Sequence, residues 1–268
     1  MTTIWHNLYL HTNKAQKLIT AIETELTELG YTIYNPFGAM PSKSYTNTIR
    51  VFVTPPSENT WTRILGNFDV RLLPSLSHIA PCLSLAMNTD SADIQFFANG
   101  DMKDTQTALI PHLKSRYTEQ DLHKVLNGNF ASNASTNDDS FPMNLLPPDL
   151  QEGAKSLNSK HINKMFNKLM GKVNKKLGDD NAESAKALLQ AKVDWNTPSA
   201  LKIRALMNIL TISDDWHTPN FVTLRDAYQL HQRKQRNPNA ILYPGDSEAL
   251  QAVPNALDYK PVYGGKNE

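Results

Sequence analysis

Hydrophobic and polar residues follow a period of two in some stretches of this chain and a period near 3.6 in others. Residues 4–11 alternate, with Ile4, His6, Leu8 and Leu10 on one side and Trp5, Asn7, Tyr9 and His11 on the other, which is a strand pattern. Ala15, Leu18, Ile19, Ile22, Leu26 and Leu29 then mark a helix, with Asn13 placed to cap it and Gly30 to stop it. Residues 31–34 form a short strand and residues 48–54 a second alternating one, which Pro55-Pro56 ends. Residues 61–65 suit an antiparallel partner. A short helical turn within residues 70–79 follows, limited by Pro74. Strands at residues 82–88 and 94–98 flank a turn, and Asn99-Gly100 signals another. Thr118 opens a last helix with Leu122, Val125 and Leu126, closed by Gly128.

Strands joined by short turns with helices between them predict an α+β domain over residues 1–128. It is an antiparallel sheet with helices on one face, ferredoxin-like in outline. Residues 129–148 are rich in Asn, Ser, Asp and Pro without a period, and read as a linker. Residues 149–268 read as an all-α domain with an irregular C-terminal tail. Its first helix, residues 149–177, carries a stripe of Ile162, Met165, Phe166, Leu169, Val173 and Leu177. A second follows to residue 193.

The rest of that half is organised by a phrase that occurs twice, DWNTPSALKIR from Asp194 and DWHTPNFVTLR from Asp215. Each copy predicts a structural corner: Trp195 or Trp216, then Thr197 or Thr218 as N-cap, then Pro198 or Pro219 at the first helical position. Residues 198–210, between the corners, are apolar nearly all round and predict a buried helix. Trp195 and Trp216 are expected to pack against its opposite ends.

Charge changes this picture in one place. The net charge of +1 drives the whole chain toward no polyanion, yet residues 150–178 hold seven Lys against one Glu. Lys160, Lys164, Lys168, Lys172 and Lys176 recur every four residues, and Arg233, Lys234 and Arg236 close a later helix. Together they are the candidate polyanion-binding residues. A solvated helix face and a complemented helix dipole account for the same residues without a ligand. The connection of residues 211–218 is too long for a helix-turn-helix.

Catalytic, cofactor and metal signatures do not emerge. Asp214, Asp215 and His217, with Asp226 or His231, match no metal-ligand spacing. Cys82, the single cysteine, heads an apolar strand, and any of His6, His11, His78 or His112 would have to be folded against it to make a nucleophile. Gly264-Gly265-Lys266 lacks the residues of a phosphate-binding loop. No catalytic residue, metal or cofactor is therefore assigned. One cysteine, no basic and apolar leader and no long apolar run lead to the expectation of a cytoplasmic protein off the membrane. The reading is a non-catalytic binding or scaffold protein, with a protein partner favoured over nucleic acid. The alternatives are a nucleic-acid-associated protein using the Lys-rich helix, and an enzyme with its site in a cleft between the domains.

Overall fold

The computed structural model describes residues 5–38, 44–55, 60–88, 91–128, 193–195, 197–243 and 245–267. Met1–Phe130 and Val193–Glu268 together make one compact unit; Ala131–Lys192 make the other, which lies outside the described residues, as do the stretches expected to be the linker and the Lys-rich helix.

The frame of the first unit is one eight-stranded sheet in which every pairing is antiparallel. Its strands are β1 (Trp5–Leu10), β2 (Thr32–Ile33), β3 (Asn47–Val53), β4 (Thr62–Asn67), β5 (Cys82–Met87), β6 (Ala92–Ala98), β7 (Asp101–Lys103) and β8 (Lys260–Lys266). They lie in the order β2-β8-β3-β4-β1-β5-β6-β7. The chain is thus mixed helix and strand, with the antiparallel sheet that its alternating stretches imply.

The ferredoxin-like outline and the division into an α+β and an all-α domain are not confirmed by this arrangement. The stretch expected to be an irregular tail supplies β8, which pairs along β3 from Asn47↔Lys266 to Val53↔Lys260 and with β2 on its other side. Pro261, Gly264 and Gly265 hide that strand from propensity arguments. The contacts explain them. A Cβ on Gly265 would lie 2.3 Å from the Tyr45 ring, so only glycine lets the strand pass beneath it. β2 pairs with Gly264 and Gly265 alone, so Pro261 meets no ladder on that side.

Helices cover both faces rather than one. On the first face α1 (Ala15–Glu28) and α2 (Leu72–Ser77) bury Leu18, Ile22, Leu26, Leu72 and Leu76 against Leu8, Val51, Ile64 and Cys82 of the sheet. Asn13 does not cap α1: Lys14 holds the cap position without a side-chain bond, and Thr12 Oγ1 accepts the Lys14 N–H at 3.1 Å. On the second face α3 (Thr105–Leu109), α4 (Glu119–Leu126) and α5 (Pro198–Ile209) pack over β1, β5 and β6. Ile203, Leu206, Met207 and Ile209 of α5 are buried there, each contributing about 1.5–3 kcal/mol. A helix apolar nearly all round could not stand apart, and this sheet face is what it covers. α6 (Phe221–Arg236) places Leu224, Ala227 and Tyr228 over Phe52, Leu65 and Tyr263 of β3, β4 and β8. α7 (Asp246–Ala252) packs on α6 before a 3-10 turn at Ala256–Asp258 leads into β8.

The second face therefore carries two separate apolar clusters, and residues 210–220 cross the seam between them. Among the described residues no helix is long and apolar enough to cross a membrane.

Candidate functional site

The seam is floored by β1 and β4. Alternation along β4 points Arg63 to the same face as Leu65, and its partner across the ladder is Tyr9 of β1. Both are buried, with Arg63 5% and Tyr9 1% exposed. A guanidinium so deep in a sheet needs acceptors, and the crossing segment supplies them. Arg63 Nη1 donates to the Trp216 carbonyl at 2.6 Å and to the Asp215 carbonyl at 3.4 Å, and Nη2 donates to the Pro219 carbonyl at 2.8 Å. The Tyr9 hydroxyl donates to the same Trp216 carbonyl at 2.6 Å and accepts from Asn7 Nδ2 at 3.3 Å.

These bonds occupy three of the five N–H groups that a guanidinium offers. Arg63 Nε is buried and has no hydrogen-bond partner, and among the described residues no carboxylate forms an ion pair with Arg63. Carbonyl dipoles solvate a cation only in part, so an unpaired buried charge is an expensive feature.

Beside Arg63 opens a pocket of ≈230 Å³, lined among others by Tyr9, Thr54, Trp61, Asp215 and Tyr259. Burial pushes the Tyr9 phenol far above the usual tyrosine range, partly opposed by the Arg63 charge. Burial raises Tyr259 in the same way, with Arg63 lowering it and Asp215 raising it. Both phenols stay protonated at neutral pH. The charges of Arg63 and Asp215 thus converge on the same two rings. Asp215 is exposed, and its carboxylate accepts from the Ser213 hydroxyl.

Above the seam three indoles meet edge to face. Trp5 lies 5.6 Å from Trp195 and 5.7 Å from Trp216, and those two are 5.2 Å apart. Trp195 and Trp216 therefore do not pack at opposite ends of α5, a helix about 18 Å long; they touch each other. His217 packs edge-on against Trp195 at 5.2 Å and tilted against Trp216 at 4.6 Å, with its Nδ1 buried and unpartnered. The two Asp-Trp corners share one feature: Thr197 and Thr218 each donate to the carbonyl of the Asp three residues back, both at 3.4 Å. They then diverge. Thr197 accepts from the Ala200 N–H at 3.3 Å and caps α5, with Pro198 at its first position. Thr218 caps nothing: the Thr218–Pro219 peptide is cis, and Asn220 caps α6, accepting from the Thr223 N–H at 2.9 Å.

A larger groove of ≈430 Å³ lies on the opposite face, at the end of the sheet that α1 and α2 leave open. There His6 Nε2 and Ser84 Oγ share a hydrogen bond of 3.1 Å, and Gln95 Nε2 donates to Asp93 at 3.0 Å. The first bond joins neighbouring strands and the second two residues of one strand, so these polar side chains satisfy one another.

The residues singled out from the sequence scatter. Arg233 pairs with Asp246 at 2.7 Å and donates to the Ile241 carbonyl at 2.9 Å; Arg236 donates to the Phe37 carbonyl and to Gln232. Lys234, beside them on α6, is partly exposed. Lys160, Lys164, Lys168, Lys172 and Lys176 lie outside the described residues. Asp214 pairs with Lys114, Asp226 with Arg225, and His231 shares a hydrogen bond with the Val253 carbonyl, so they do not converge with Asp215 and His217. Cys82 is fully buried, and desolvation pushes its thiol up to about 12, which leaves it a packing residue. Arg63, Tyr9, Ser213 and Tyr259 were not picked out. The available signal was a charge at a core-facing position of an alternating strand, Trp61-Arg63-Leu65.

Comparisons with family models, with curated proteins and with solved structures found no match.

Four buried or half-buried histidines predict how stability depends on pH. Burial lowers the pKa of His6 to about 4, and lowers those of His11, His112 and His217. The unfolded chain then binds more protons than the folded one, so stability falls as pH drops below about 6.5, levelling off for His6 below its folded value. His6 alone accounts for at most about 3 kcal/mol. Urea midpoints are expected to drop between pH 7.5 and 5, and His6→Gln to flatten that slope. Equal slopes for the two proteins would remove His6 from the account.

Proposed function

We propose that this is a non-catalytic binding protein, and that one of its ligands is a small oxyanion, a carboxylate or a phosphate, taken up beside Arg63. The observation that supports it is the buried guanidinium lining a pocket, with an unpartnered Nε and, among the described residues, no carboxylate in an ion pair with it. An oxyanion there supplies both the missing acceptor and the missing countercharge, and charge-assisted bonds of this kind are among the strong ones. The pocket is smaller than the roughly 300–1,000 Å³ that encloses drug-sized ligands, so the occupant is small. Arg233 and Arg236 of α6 are engaged with their own fold, which weakens a polyanion role for that helix end.

The test is thermal unfolding of the full chain in acetate, lactate, phosphate and sulfate, against chloride at matched ionic strength. A ligand at 100 times its Kd stabilises by about 2.7 kcal/mol, a shift of several degrees. A rise that saturates with acetate or lactate identifies a carboxylate site, and one that saturates with phosphate or sulfate an inorganic-anion site, whereas a rise that grows linearly with salt is the non-specific effect of excluded anions. Equal midpoints in all five salts overturn the reading.

A further inference from the structure

Resting on that reading, we propose that the natural occupant of the Arg63 pocket is a free α-amino acid, its carboxylate on Arg63 and its ammonium on Asp215. Three observations carry this. First, the pocket is lined by one cation and one anion that do not pair with each other. A protein that needed only to neutralise these charges would bring them into contact. Instead each is held by neutral groups: Arg63 by the carbonyls of Asp215, Trp216 and Pro219, and Asp215 by the Ser213 hydroxyl. Among the described residues neither has a countercharge. An α-amino acid carries both complementary charges on one carbon, so a single small molecule satisfies the two.

Second, the two fields overlap where the ligand would lie. Arg63 and Asp215 both act on Tyr9 and on Tyr259, from opposite signs. Third, the remaining walls suit this class. Trp61, Trp216 and Tyr259 offer aromatic surface that attracts an ammonium group and packs a side chain. The volume of ≈230 Å³ holds one amino acid rather than a peptide.

The experiment is calorimetric titration of the full chain with three matched sets: phenylalanine with 3-phenylpropionate and phenethylamine, leucine with 4-methylpentanoate and isopentylamine, and alanine with propionate and ethylamine. In at least one set the amino acid is expected to bind tenfold or more tighter than its acid, and the amine more weakly than either. Asp215→Asn is expected to bring the amino acid down to the affinity of the acid while leaving the acid unchanged. If acids bind as tightly as the amino acids, or Asp215→Asn changes nothing, the zwitterion inference falls and the oxyanion reading stands. If none of the nine compounds binds, the inference falls, and the anion series above decides separately whether the oxyanion reading falls with it. The comparison of matched ligands on the unaltered protein decides the question even if the variant does not fold.

Discussion

Replacing Trp216 by alanine is expected to cost about 3–5 kcal/mol of folding stability, the largest effect of any single substitution considered for this chain. Trp216 is 9% exposed and is the member of the indole triad that closes the seam. Truncation removes the buried ring, the edge-to-face contacts with Trp5 and Trp195, and the packing of His217. It also loosens the segment whose carbonyl ties Tyr9 and Arg63 together. Against a typical total of about 5–15 kcal/mol, such a loss is a large share. Urea unfolding followed by far-UV circular dichroism measures it without depending on the lost fluorophore. Trp195→Ala, at a half-buried position on the same triad, is expected to cost clearly less. A cost below about 1 kcal/mol for Trp216→Ala would show that the triad is surface decoration.

The second large effect is expected from Arg63→Met, which keeps the length of the side chain and removes its donors and charge. Two terms oppose each other. Removing an unpaired buried cation relieves a desolvation cost, and an apolar side chain of similar volume can be neutral in such a place. Against this, the Pro219 carbonyl loses its hydrogen bond from Nη2. The Trp216 carbonyl keeps the Tyr9 hydroxyl, and the Asp215 carbonyl keeps the Thr218 N–H at 2.9 Å. Hydrogen bonds from charged donors contribute about 1.5–3 kcal/mol each, and a buried acceptor left without a donor costs about 1–3 kcal/mol. The balance is a net loss of about 2–3 kcal/mol, together with loss of the midpoint increase that oxyanions give the unaltered protein. Tyr9→Phe, which removes one neutral bond to the same carbonyl, is expected to cost about 1 kcal/mol. If Arg63→Met is as stable as the parent and still responds to anions, Arg63 is neither the clamp nor the ligand-binding group.

The features legible in the residues alone are local ones. Alternation at Trp5–Leu10, Asn47–Val53 and Cys82–Met87 and the apolar stripe of Ala15–Glu28 are visible in any window of the chain, because the period of a strand or helix acts over neighbouring residues. The cap of Glu119–Leu126 by Thr118 and the turn at Asn99-Gly100, both at positive φ, are equally local. The phrase Asp-Trp-x-Thr-Pro was legible as a repeat, and both copies carry the bond from the Thr hydroxyl to the Asp carbonyl. The tertiary structure decided its exits: one copy runs into α5 from Thr197, while the other offers its carbonyls to Arg63 and hands the cap to Asn220.

Only the tertiary structure could place β8 in the sheet. The ladder of Lys260–Lys266 joins residues 47–53 across some two hundred positions, and nothing near Pro261 or Gly264 records that partner. The same distance hid the second face of the sheet. The burial of α5 is written in its own residues, but what buries it is β1, β5 and β6, from the other end of the chain. The candidate site is the extreme case. Arg63, Tyr9, Asp215 and Tyr259 come from four separate stretches of sequence, and each reads alone as a strand, core or turn residue. A buried charge is recognised by its lack of a partner, and a partner is a fact of three dimensions.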